Sequence, residues 1–77
     1  MYLKKDVFLI AGISRSGIAA TEFLLSKGAK CYVFDELITE GVTASMAALA
    51  QKGAIPVKPE DAETVIPLID VLVLSPG

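Results

Sequence analysis

Residues 7–17 read Val7-Phe8-Leu9-Ile10-Ala11-Gly12-Ile13-Ser14-Arg15-Ser16-Gly17, and this stretch decides the fold. An apolar run without polar alternation, Val7 to Ala11, suits a strand covered on both faces, as in a parallel sheet. The glycines match G-x-G-x-x-G at its first and third positions, with Ser14 at the second. In a strand–turn–helix setting, Gly12 permits the tight turn and Gly17 lets the helix pack close to the sheet. The N–H groups of residues 14 to 17 then face an anion, aided by the helix end. The glycines alone fit a tight turn with no ligand equally well. Ser14, Arg15 and Ser16 favour binding, because they place two hydroxyls and a guanidinium beside the anion position. Arg15 also reads as a solvated residue, and Ser16 as a helix N-cap.

Working outward, residues Ser16 to Lys27 read as a helix. At helical spacing Arg15, Ala19, Glu22 and Ser26 share one polar sector, while Gly17, Ile18, Ala20, Phe23, Leu24 and Leu25 fill most of the rest. Gly28 stops that helix. A second strand, Ala29 to Phe34, ends at Asp35 and Glu36. A second helix is expected from Thr43, as its cap, to Lys52, with Gly53 ending it. Ala54 to Val57 reads as a short strand, placed at the sheet edge by Pro56. Pro59, Glu60 and Asp61 open a short helical stretch that Pro67 limits or restarts. Asp70 to Leu74 is the fourth strand, followed by the turn Ser75, Pro76 and Gly77.

The order β-α-β-α-β-α-β with right-handed crossovers predicts an α/β, Rossmann-like fold. Its sheet is parallel, has helices on both faces and runs in the order 3-2-1-4. Ligands in such folds sit beyond the carboxyl ends of the strands, where the chain reverses direction. Gly12, Asp35 and Ser75 all follow strand ends, so one rim should carry them. Asp35 stands eighteen residues after Gly17, about where a carboxylate meets ribose hydroxyls. Helix capping or plain solvation also accounts for it, and Glu36 shares the role or has none. Ser14 crowds the approach that the usual second glycine gives a dinucleotide pyrophosphate. A sheet stopping at its fourth strand leaves that strand flanked on one side, so the chain is expected to be the truncated front of a longer protein. Its outer edge invites self-association.

The chain has 77 residues, 53% apolar and 21% charged, with net charge −2. That is too apolar for a disordered tail. The seven basic residues form no cluster, so no nucleic-acid partner is expected. With one cysteine, Cys31, and no histidine, neither an intrachain disulfide nor an ordinary zinc site can form, and Cys31 reads as core. The run from Val7 to Ile13 is too short to span a membrane, and a cytoplasmic protein is the default. No Walker lysine loop is present, and no paired acids stand in a recognisable metal or catalytic arrangement, so no catalytic and no metal-ligating residue is assigned.

Three stretches resemble the N-terminal domain of the Mur ligases: residues 7–20 with their glycine loop, Phe23-Leu24-Leu25 through Gly28-Ala29 to Val33-Phe34-Asp35, and Leu74-Ser75-Pro76-Gly77. The resemblance is nearest to the branch that joins D-glutamate to UDP-N-acetylmuramoyl-L-alanine in peptidoglycan synthesis. It implies a three-domain cytoplasmic ligase with this chain holding the UDP part of the substrate. ATP and magnesium would bind a central domain absent here, and the fragment alone would bind no cofactor and be inactive. In that family the substrate carboxylate is activated as an acyl phosphate and attacked by the amine. By the same resemblance Gly12, Ile13, Ser14, Arg15, Ser16 and Gly17 would meet uracil and diphosphate. Asp35 and Glu36 would line the uridine side, and Ser75, Pro76 and Gly77 the phosphate and sugar region. Two departures stand out: Ser14 replaces a glycine, and Glu36-Leu37 replaces a hydroxyl residue followed by arginine. The rival reading is an NAD(P)-binding domain of a dehydrogenase or a nucleotide-sensing module.

Overall fold

The computed structural model describes residues 6–75; residues 1–5 and 76–77 lie outside the described residues. Val7–Ala11 forms β1, an interior strand paired in parallel with β2 (Lys30–Phe34) on one side and β4 (Val71–Leu74) on the other. β3 (Ile55–Val57) pairs in parallel with β2, giving the order β3-β2-β1-β4. The expected α/β architecture and strand order are therefore observed, and Pro56 does lie on an edge strand. Backbone bonds extend β1 past its end on both sides: Gly12 N–H donates to the Phe34 carbonyl at 2.8 Å, and Ser75 N–H to the Ala11 carbonyl at 2.9 Å. At the other end, the Asp70 carboxylate accepts from Val7 N–H at 2.8 Å, and Asp70 N–H donates to the Val7 carbonyl at 2.7 Å.

Side chains alternate across the sheet, so each strand feeds two cores. Phe8, Ile10, Cys31 and Val33 face α1 (Arg15–Ser26) and α2 (Glu40–Gln51), meeting Leu24, Met46 and Leu49. Leu9, Tyr32 and Val57 face the other way, toward the short helix α3 (Ala62–Val65), which contributes Val65. Tight 3₁₀ turns at Pro59–Asp61 and Ile66–Leu68 bracket α3, so Pro67 restarts the element. The first face has α1 and α2 over β1 and β2 but leaves Val71 of β4 exposed; the second has one helical turn and its neighbours. Register places Leu72 beside Leu9 and Leu74 beside Ala11 on that second face, and both leucines are exposed. β4 pairs only with β1 among the described residues, so its outer side is open.

Three helix details differ from the sequence reading. α1 begins at Arg15, with Ser14 at the N-cap position in extended geometry, and the Ser14 hydroxyl does not cap the helix. Ser16 is therefore a first-turn residue. Arg15, Ala19, Glu22 and Ser26 are exposed as expected, yet Phe23 joins them at 56% exposure. It lies one residue before buried Leu24, about 100° round the helix, and the Lys27 ammonium sits 5.5 Å from its ring. Thr21 takes the buried place instead, fully covered, with its hydroxyl donating to the Gly17 carbonyl at 2.8 Å. That bond removes the cost of burying the polar group.

α2 starts three residues before Thr43, because Thr39 is the cap: its hydroxyl accepts from Val42 N–H at 3.1 Å. Glu40 in the first turn suits the positive helix end. Thr39→Ala should lower stability by about 1 kcal/mol, read by urea denaturation; an unchanged midpoint would show the cap to be idle. The Lys52–Glu22 ion pair, 2.6 Å long, ties α2 to α1 but is well exposed on both sides, so it contributes little. Among the described residues, no helix is long and apolar enough to cross a membrane.

Candidate functional site

The rim at the carboxyl ends of β1, β2 and β4 gathers most of the residues the sequence singled out. Gly12 has φ +106°, a left-handed geometry that side chains resist, and a Cβ there would come within 2.7 Å of the Ser75 carbonyl oxygen. The chain can therefore turn and approach β4 only with glycine at 12. Gly17 makes the second close approach. A Cβ on it would collide with the Gly12 carbonyl oxygen and stand 3.2 Å from the Ser75 hydroxyl. Both glycines serve the roles that their spacing predicted, the turn and the close seat of α1.

Ser75 is where the loop and β4 meet. Its hydroxyl is 2.6 Å from that of Ser14 and 2.7 Å from that of Ser16, and the latter two are 3.2 Å apart. Three hydroxyls thus form a triangle at the start of α1. The first intrahelical bond runs from Ile18 N–H to the Ser14 carbonyl at 2.9 Å. The amides of Arg15, Ser16 and Gly17 precede it and, as at any helix start, have no carbonyl one turn back. α1 carries no acid in its first turn, in contrast to α2. The positive helix end is thus not already neutralised by a side chain of its own helix.

Asp35 reaches the same loop from β2. One carboxylate oxygen accepts from Ile13 N–H at 2.8 Å, and the other from Leu37 N–H at 2.9 Å. It thereby staples the loop after β1 to the loop after β2. The Ile13 side chain is buried in the core, so this residue offers the rim only backbone. Glu36 is exposed and lines a cleft of about 350 Å³ together with Gly12, Asp35, Leu74 and Ser75. Arg15 is exposed on the outer sector of α1. Pro76 and Gly77 lie outside the described residues.

The sequence reading missed Thr21, whose burial follows from its place four residues after Gly17 on the same helix line. It also gave no sign that Asp35 would bond a backbone amide twenty-two residues away. A larger hollow of about 550 Å³ lies between α2 and the end of β3, walled chiefly by Ile38, Met46, Ala47, Pro56 and Val57. Cys31 is buried in the α1–α2 core, and desolvation pushes its thiol above the ordinary value. A thiol held protonated is a poor nucleophile. Among the described residues, no group of three or more Cys, Asp or Glu side chains gathers to hold a metal ion.

No protein-family model matches the chain, and searches of curated proteins and of solved structures return no match to it.

Proposed function

We propose that this chain binds the UDP portion of a nucleotide-linked substrate for an ATP-dependent, amide-forming ligase, on the rim that joins β1, β2 and β4. The observation that carries the nucleotide reading is the convergence of the Ser14, Ser16 and Ser75 hydroxyls on the start of α1. Hydroxyl donors, first-turn amides and the positive helix end are what a diphosphate needs. Support for uridine over other nucleosides, and for the ligase, comes from the resemblance of the three sequence stretches to Mur ligases. On that reading the substrate is UDP-N-acetylmuramoyl-L-alanine, the amine is D-glutamate and the protein works in the cytoplasm.

ATP and magnesium do not fit the residues present. The chain has no histidine and no phosphate-loop lysine, and no metal-holding cluster is found among the described residues. No chemical step is therefore derived on this chain. Its contribution is orientation: binding energy from a remote handle can hold a distant carboxylate in place for attack. A dinucleotide fits less well, because the Ser14 side chain occupies the approach a glycine would leave open and is held by Ser75.

Calorimetric titration with UDP and with NAD tests the reading. UDP should bind at least about tenfold more tightly, a difference of roughly 1.4 kcal/mol. Saturation by NAD without a UDP signal would reverse the assignment.

A further inference from the structure

The hollow between α2 and the end of β3 shares none of the residues that line the rim cleft. Its volume, about 550 Å³, is that of a small-molecule site. Thr43, Met46 and Ala47 lie three and four residues apart, so one line of α2 walls it. Buried Met46 and Val57 form its floor, with Ile38 and Pro56 as apolar walls. Pro56 has no N–H, which makes the β3 edge a poor template for an added strand.

Lys58 and Glu60 complete the lining with opposite charges. Lys58 follows β3 directly and Pro59 opens the next turn, so charges two residues apart stand over one hollow. Both side chains are exposed, and neither makes a hydrogen bond or ion pair among the described residues. The Thr43 hydroxyl is also without a bond among those residues, because Thr39 caps α2.

We propose that this hollow binds a free α-amino acid with a large apolar side chain. The Lys58 ammonium meets its carboxylate, Glu60 meets its ammonium, and its side chain covers Met46 and Val57. Charge complementarity decides among occupants. A plain hydrocarbon leaves both charges unused. A fatty acid is attracted by Lys58 but repelled by Glu60, and an amine the reverse. A dipolar ion satisfies both. Exposed ion pairs are weak, so two of them and one buried side chain give an affinity on the order of 1 mM. The site is separate from the nucleotide rim and does not depend on what binds there.

The test titrates L-phenylalanine into the whole chain and follows backbone amide resonances. L-Serine, L-phenylalanine methyl ester and N-acetyl-L-phenylalanine are the comparison probes. L-Phenylalanine should shift the amides of Thr43, Ala47 and Lys58 to saturation. The ester lacks the carboxylate and the N-acetyl compound lacks the ammonium, so each should bind about fivefold more weakly. Serine, without an apolar body, should not saturate. Lys58→Ala should bind the free amino acid and the ester alike, and Glu60→Ala should bind the free amino acid and the N-acetyl compound alike. Ala47→Trp fills the hollow from an exposed position and should abolish saturation. Should that variant fail to fold, the two charge variants decide. The proposal is overturned if no amide around the hollow responds up to about 20 mM, some twentyfold above the expected affinity. It is also overturned if both blocked compounds bind as well as the free amino acid, which would make the hollow a plain apolar surface. Discrimination that survives either charge removal would overturn it too.

Discussion

Gly17→Ala is expected to cost about 3 kcal/mol, measured as a fall in the urea midpoint at constant slope. The added carbon meets backbone, the Gly12 carbonyl oxygen, so no side-chain rotation relieves it. Gly12 cannot retreat, since its N–H is bonded to Phe34 and its own turn is left-handed. The remaining route is for α1 to lift from the sheet. That would draw Thr21 and Leu24 out of contact and pull Ser16 away from Ser75. On the proposed nucleotide reading, UDP affinity should fall in parallel with stability. Gly41→Ala is the control. Gly41 lies in the first turn of α2, and a Cβ there meets only the Thr39 hydroxyl at 3.9 Å. Removing glycine from a helix without a clash should gain up to about 0.5–1 kcal/mol. Equal stability for Gly17→Ala and its parent would show that the helix is not seated as described.

Ile10→Ala should be the most damaging core truncation, at about 4 kcal/mol. Ile10 is fully buried on the middle of β1, level with Val33 and Val73 on the flanking strands, under α1 and α2. β2, α1 and α2 are anchored by further contacts of their own and cannot close the void. Leu72→Ala on neighbouring β4 removes a similar side chain that is 49% exposed on the thinly covered face, so its effect should stay within about 0.5 kcal/mol. The contrast tests the two-faced description of the sheet. A large loss at Leu72 would mean that the second face is packed against something in solution.

The sequence was most readable where one physical rule acted without competition. The bounds of β1 follow from an uninterrupted apolar run between Asp6 and Gly12. The strand order follows from the handedness of crossovers, which does not depend on detail. The rim was legible for the same reason: residues just past strand ends share one side of a parallel sheet, so Gly12, Asp35 and Ser75 had to be neighbours. Legibility failed where two residue types competed for one place. Thr39 and Thr43 can both cap a helix, and Gly41 does not bar the earlier start, because a first turn has few bonds to lose. Phe23 lies outside the core expected of it, and Thr21, for which the sequence carried no expectation, is buried, because the Gly17 contact fixes which line of α1 faces the sheet. Hydropathy does not report that line. The partners of Asp35 were hidden for a further reason. A carboxylate at the end of β2 looks alike whether it accepts from a ligand or from an amide, and only the path of the loop decides.

The serine triangle carries a consequence for selectivity. Three hydroxyls hold three protons, enough to close a ring of mutual bonds, and a ring so closed has no proton left to offer outward. An anion that draws on these hydroxyl protons does so in exchange for bonds already made between the hydroxyls. A halide, with its single diffuse charge, is a poor exchange, whereas the several oxygens of a phosphate can take all three protons at once. The rim in this sense sets a threshold that favours a guest with several acceptor oxygens.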